Sequence, residues 1–139
     1  MAVVNIFAGA DSTDPSLSEA NITFNTPDGG DDKDDDTKLQ ITLSSKFGSG
    51  FVRKIAFRPF ETHGRFADGS VHTIGLPVQG TVLLSSINDV KLKIEFEPNG
   101  DDTWKFKYDV DLKFSDGTVL NKNGGGEKVL SDGNRVLEE

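Results

Sequence analysis

The sequence has 139 residues, 35% hydrophobic and 27% charged, with a formal net charge of -8 at pH 7, two histidines and no cysteine. That balance fits one folded domain spanning residues 1–139 rather than a disordered chain. It excludes disulfide scaffolds, thiolate metal centres and cysteine nucleophiles, and makes an imidazole-rich metal centre improbable. The negative charge, with no visible basic block, argues against a nucleic-acid partner.

Acidity is concentrated in Asp, with sixteen Asp against seven Glu. Asp favours loops, turns and hard-cation sites over helices. Eleven Val, seven Ile, ten Thr and ten Phe against six Ala make a strand-forming mixture. An all-β chain with Asp-rich loops is the expectation.

In chain order, Val3-Val4-Asn5-Ile6-Phe7 reads as a first strand and Asn21 to Asn25 as a second, with Ile22 and Phe24 on one face. Lys38 to Leu43 alternates cleanly. Val52 to Phe57 is a mixed run ended by Pro59, and Ser70 to Leu76 another ended by Pro77, with His72 directed outward. Val90 to Phe96 alternates apolar with charged residues. Trp104 to Phe114 holds a period of two over eleven residues, the clearest buried-face strand in the chain. Asp116-Gly117 makes a tight hairpin into Thr118 to Leu120. Ser131-Asp132-Gly133-Asn134 makes a second, between Lys128 to Leu130 and Arg135 to Leu137, and Gly124-Gly125-Gly126 is a mobile loop. No segment keeps helical periodicity for three turns. About nine short strands at this spacing predict an antiparallel β-sandwich. No apolar run approaches the ~20 residues of a membrane helix. The first residues lack the basic start and long apolar core of a signal peptide, which leaves localisation open among retention, another export route and a removed signal.

From Asp28 to Asp36, six carboxylates fall within nine residues, interrupted by Lys33. Crowded carboxylates repel unless a cation intervenes. The run is a solvated loop tip or part of a calcium site, since calcium takes six to eight oxygens. An EF-hand count from Asp28 fails, meeting Lys33 and Leu39 where Gly and Glu are required. Help would have to come from other loops. Alternating strand directions bring Phe60 to Gly69, Pro98 to Thr103 and Asn121 to Glu127 to the same end, adding Asp68, Asp101 and Asp102. Ser44 to Phe51, Pro77 to Asp89 and the Asp116-Gly117 hairpin fall at the opposite end.

The stretches Thr26 to Asp34, Phe66 to Pro77 and Asp101-Asp102-Thr103-Trp104 together resemble bacterial domains related to the PLAT/LH2 and C2 sandwiches. The resemblance covers roughly residues 20 to 120. It implies an eight-stranded C2/PLAT-like sandwich with calcium held between loops at one edge. It would carry over Asp28, Asp31, Asp32, Asp34, Asp101 and Asp102 as ligands, with Asp36 and Asp68 beside them. The loop here is denser in Asp than the family pattern and lacks the Arg usual in its middle.

Catalytic signatures are weak. Asp109-Val110-Asp111 reads as a solvated strand face, Gly48-Ser49-Gly50 lacks the flanks of a nucleophile elbow, and His63 and His72 have no evident partners. The expectation is a non-enzymatic, calcium-dependent module for membrane lipid headgroups, with Phe60, Arg65 and Phe66 as a tip beside the ion. A small secreted bacterial toxin acting on host membranes is an extension by analogy. A calcium-dependent glycan-binding sandwich is the alternative, favoured if Trp104 or Tyr108 is exposed on a sheet face. A metal-free structural or interaction domain is the third.

Overall fold

The computed structural model describes residues 14–139 apart from Gly30 and Ser49, so the strand expected at Val3–Phe7 lies outside the described residues. Nine strands follow in order: β1 Leu17–Asn25, β2 Lys38–Phe47, β3 Phe51–Glu61, β4 Val71–Leu76, β5 Asn88–Glu97, β6 Thr103–Phe114, β7 Val119–Asn123, β8 Lys128–Ser131 and β9 Val136–Glu138. A 3-10 turn, Leu84–Ser86, precedes β5. Among the described residues no helix is long and apolar enough to cross a membrane.

The strands form two antiparallel sheets. One has the order β9-β5-β2-β3; the other has β4-β1-β6-β7, with β8 also paired to β6. Alternation decides which side chains meet between them. Leu39, Ile41 and Leu43 of β2 and Leu92, Ile94 and Phe96 of β5 face Ile22 and Phe24 of β1 and every even-numbered residue of β6 from Trp104 to Phe114; all are buried. At the acidic end Trp104 stacks on Phe106, centroids 4.0 Å apart, and Phe24 packs against both rings. The Trp104 indole N–H donates to the buried Thr26 hydroxyl at 3.0 Å, so the ring's one polar atom is satisfied.

Four local expectations need correction. Pro59 does not end β3, which runs on to Glu61. A missing N–H is tolerated there because β3 is an edge strand and its pairing with β2 is irregular between Leu39 and Ile41. His72 points inward, its ring stacked on Phe66 at 4.2 Å. The Asn121–Glu127 connection does not reach the sandwich end. β7 pairs with Asp109–Lys113 and β8 with Thr103–Phe106 along the same side of β6, so this connection interrupts one edge midway. Finally, Ser131 and Asn134 do close a tight turn, but β9 then pairs with β5 in the other sheet. The turn is a bridge between sheets, not a hairpin within one.

Candidate functional site: the acidic end and the basic edge

Strand parity correctly gathers the connections 26–37, 62–70 and 98–102 at one end. They are tied by backbone hydrogen bonds. Lys33 and Phe66 exchange N–H···O=C bonds of 3.2 and 3.0 Å, Gly69 N–H donates to the Thr26 carbonyl at 2.7 Å, and Lys105 N–H donates to the Asp31 carbonyl at 2.9 Å.

The carboxylates themselves do not converge on one point. Asp28 lies over Gly69, where an added Cβ would stand 2.6 Å from its Oδ1. Asp31 faces Lys105 at 3.7 Å, and Asp32 takes two donors from the Arg65 guanidinium, at 2.8 and 2.5 Å. Asp36 accepts from Asn99 at 3.0 Å. Asp34, Asp68 and Asp101 are exposed. Partial desolvation, then the charges of Asp102, Asp32, Asp36 and Asp35, raise the Asp34 carboxyl above its ordinary range. Asp102 alone is buried, and it turns into the protein to accept from Asp34 N–H at 3.0 Å and the Thr37 hydroxyl at 2.6 Å. Among the described residues no group of three His, Cys, Asp or Glu is arranged to hold a metal ion. As placed here, Asp31, Asp32, Asp36 and Asp102 are each taken up by a separate partner rather than ranged around one point.

The centre of the end is occupied by Lys33, which is fully buried. Its ammonium donates to the carbonyls of Asp34 at 2.9 Å, Thr37 at 2.8 Å and Thr62 at 2.6 Å, and sits 4.9 Å from the Phe66 ring centroid. The Asp34–Thr37 turn is thereby held from both polarities. Lys33 takes its carbonyls while Asp102 takes its N–H and O–H. The Thr62 carbonyl is presented by a left-handed pair, His63 (φ 56) and Gly64 (φ 78). A left-handed histidine is an unfavourable local choice. Burial lowers the Lys33 ammonium to about 8, against the pull of Asp102, Asp34, Asp35 and Asp36. His63 Nε2 is buried with no hydrogen-bond partner among the described residues, and burial lowers its pKa as well.

The expected tip is likewise redistributed. Phe66 is 1% exposed and belongs to the core, because its backbone pairing with Lys33 directs the ring between Phe24, Trp104 and His72. Arg65 stays exposed but is ion-paired with Asp32, and Phe60 is 38% exposed, so of the expected tip only Phe66 is buried in the core. Trp104 and Tyr108 are both buried, so neither offers the exposed aromatic face that would favour the glycan alternative.

A second feature lies along β3. Residues 37–60 carry five basic residues (Lys38, Lys46, Arg53, Lys54 and Arg58) and no acidic one, spaced too widely to stand out as a basic run. Pairing of β2 with β3 brings Lys46, Arg53 and Lys54 together near the β2–β3 turn, where Lys46 is ion-paired with Asp89 at 3.3 Å. Arg58 is held by Glu61 at 3.0 Å farther along β3, and Lys38 lies at the other end of β2. Arg53 lies over the Phe47 ring at 5.3 Å and Lys54 over Phe57 at 4.1 Å. Phe51 and Val52, at the start of β3, are 67% and 56% exposed, and Lys46 is directly opposite Val52. Sequence reasoning missed both Lys33 and this edge. The signals were a single lysine among six carboxylates and a stretch of 24 residues free of acid. No protein family, curated protein or solved structure matches the chain.

Proposed function

We propose that the chain is a non-catalytic β-sandwich module that docks on anionic membrane surfaces through the β3 edge, without calcium. The observation that carries this reading is the cation–aromatic edge of β3, with Phe51 and Val52 projecting beside Arg53 and Lys54. Such side chains combine apolar insertion with attraction to lipid phosphate. A buried Phe contributes roughly 1.5–3 kcal/mol, and each basic residue near an anionic bilayer about 1 kcal/mol.

The net charge of -8 opposes this approach only weakly. β2 separates the hairpin from the acidic loop by ten residues, roughly 30 Å at strand rise. That is several times the ~8 Å screening length in physiological salt. Stacking of nucleic-acid bases is disfavoured because the Phe47 and Phe57 rings already carry cations over them.

The test is co-sedimentation with phosphatidylserine/phosphatidylcholine vesicles in chelator, with pure phosphatidylcholine as control. Binding to the anionic vesicles alone, weakened at least tenfold by Phe51→Ser or Lys54→Glu, supports the reading. A strict calcium requirement would restore the calcium-dependent module that the PLAT/C2 resemblance implies. Absence of binding in either condition leaves the interaction-domain reading in its place.

A further inference from the structure

Three carbonyl oxygens pointing at one buried point, with a buried carboxylate behind the same turn, make a cation cage. A backbone that aims Asp34, Thr37 and Thr62 carbonyls inward has to be given a donor or a cation, since buried acceptors are costly when unpaired. Six carboxylates within nine residues add repulsion that favours positive charge at the same place. In this chain the cation comes from the loop's own sequence. Lys33 reaches the cage at 2.6 to 2.9 Å from all three oxygens while its backbone is fixed to Phe66.

We infer that the acidic end is a cation-binding cage whose resident cation is the Lys33 ammonium, which organises the Asp-rich loop in the place a metal ion would otherwise take. Removing the side chain beyond Cβ therefore leaves a cavity shaped for the missing fragment, an n-propylammonium ion. The three carbonyls supply its hydrogen bonds. The Asp102 carboxylate, and the outward Asp34, Asp35 and Asp36, supply the electrostatic attraction.

The experiment is chemical rescue of Lys33→Ala, read as melting temperature, in n-propylammonium chloride against equal sodium chloride and against 1-propanol. The variant should melt several degrees below the wild type and regain at least ~2 °C in propylammonium at tens of millimolar, with no such gain for the wild type. Propanol, which fills the stem but brings no charge, should recover less than half of that. Equal response to sodium, or rescue by propanol as complete as by the amine, overturns the inference.

If Lys33→Ala does not fold, the wild type decides. Under limiting acetylation with intact-mass and peptide readout, Lys33 should be the slowest of the eleven lysines to react. Lys33 labelled as fast as the exposed Lys91 would refute the cage. A rise in wild-type melting temperature on adding millimolar calcium would also refute it, because the cage would then be open to metal. Vesicle binding does not enter these readouts, so this inference and the proposed function fail separately.

Discussion

Lys33→Met is the most informative single substitution, because two large effects oppose each other at that position. Met keeps an apolar stem of similar length and removes the ammonium. It also relieves the cost of holding a charge in a dry site. The fall of the Lys33 pKa from 10.5 to about 8 corresponds to roughly 3 kcal/mol. Against this, three carbonyls lose their donor, and each that stays unpaired costs about 1–3 kcal/mol. The Asp34 carbonyl keeps a 3.3 Å bond from Thr37 N–H, and the bonds to Asp34 and Thr62 are only part-buried, whereas that to Thr37 is buried. Asp102 also loses the attraction of the Lys33 ammonium. The balance is a net loss of about 1–3 kcal/mol, or roughly 3–10 °C in melting temperature for a domain of this size. Urea unfolding at pH 7 measures it. A double-mutant cycle with Asp102→Asn should show at least ~1 kcal/mol of coupling, since both groups grip the same turn. An unchanged or raised midpoint in Lys33→Met would mean that desolvation dominates and that the ammonium is tolerated rather than organising.

Other outcomes follow from the same geometry. Because the Lys33 pKa is lower folded than unfolded, the unfolded chain binds the extra proton between about 8 and 10.5. Stability from this group should therefore be reduced below pH 8 and recover as pH rises through that window. Urea midpoints of wild type minus Lys33→Met should climb from pH 7.5 to 10, and parallel curves would refute the assignment. Phe66→Ala should cost about 3–5 kcal/mol as a core truncation while vesicle binding by the folded protein is unchanged; lost binding at full stability would return Phe66 to a tip. Gly124→Ala should destabilise by about 1–3 kcal/mol, since the new Cβ would stand 2.7 Å from the Tyr108 ring, whose hydroxyl is held by Glu139 at 2.5 Å. Thermal melting checks it, and an unshifted midpoint would show that the β7–β8 connection moves aside freely.

Strand positions were legible wherever one face alternated, as in Trp104 to Phe114, because a period of two fixes both the element and its buried face. The meeting of three loops was legible for the same reason, since alternating directions fix the end to which each connection returns. His72 was misread although Ile74 and Leu76 share its parity and are buried, because the segment is short and a polar ring was assigned to solvent. Phe66 and Lys33 were not legible in direction at all. They lie outside named strands, and their orientation comes from a bridge between two loops 33 residues apart in sequence.

Local sequence thus determined the all-β class, most strand positions and the crowding of carboxylates at one end, all of which follow from side-chain alternation and turn chemistry. Tertiary structure alone decided that β7 and β8 share one edge and that β9 crosses to the other sheet, because pairing partners depend on which edges remain open. It also placed the Lys33 ammonium at the centre of the acidic end. A carboxylate run invites a cation by electrostatics, but whether an ion or a lysine supplies it depends on carbonyls from 34, 37 and 62 reaching one point, which only the folded backbone brings about.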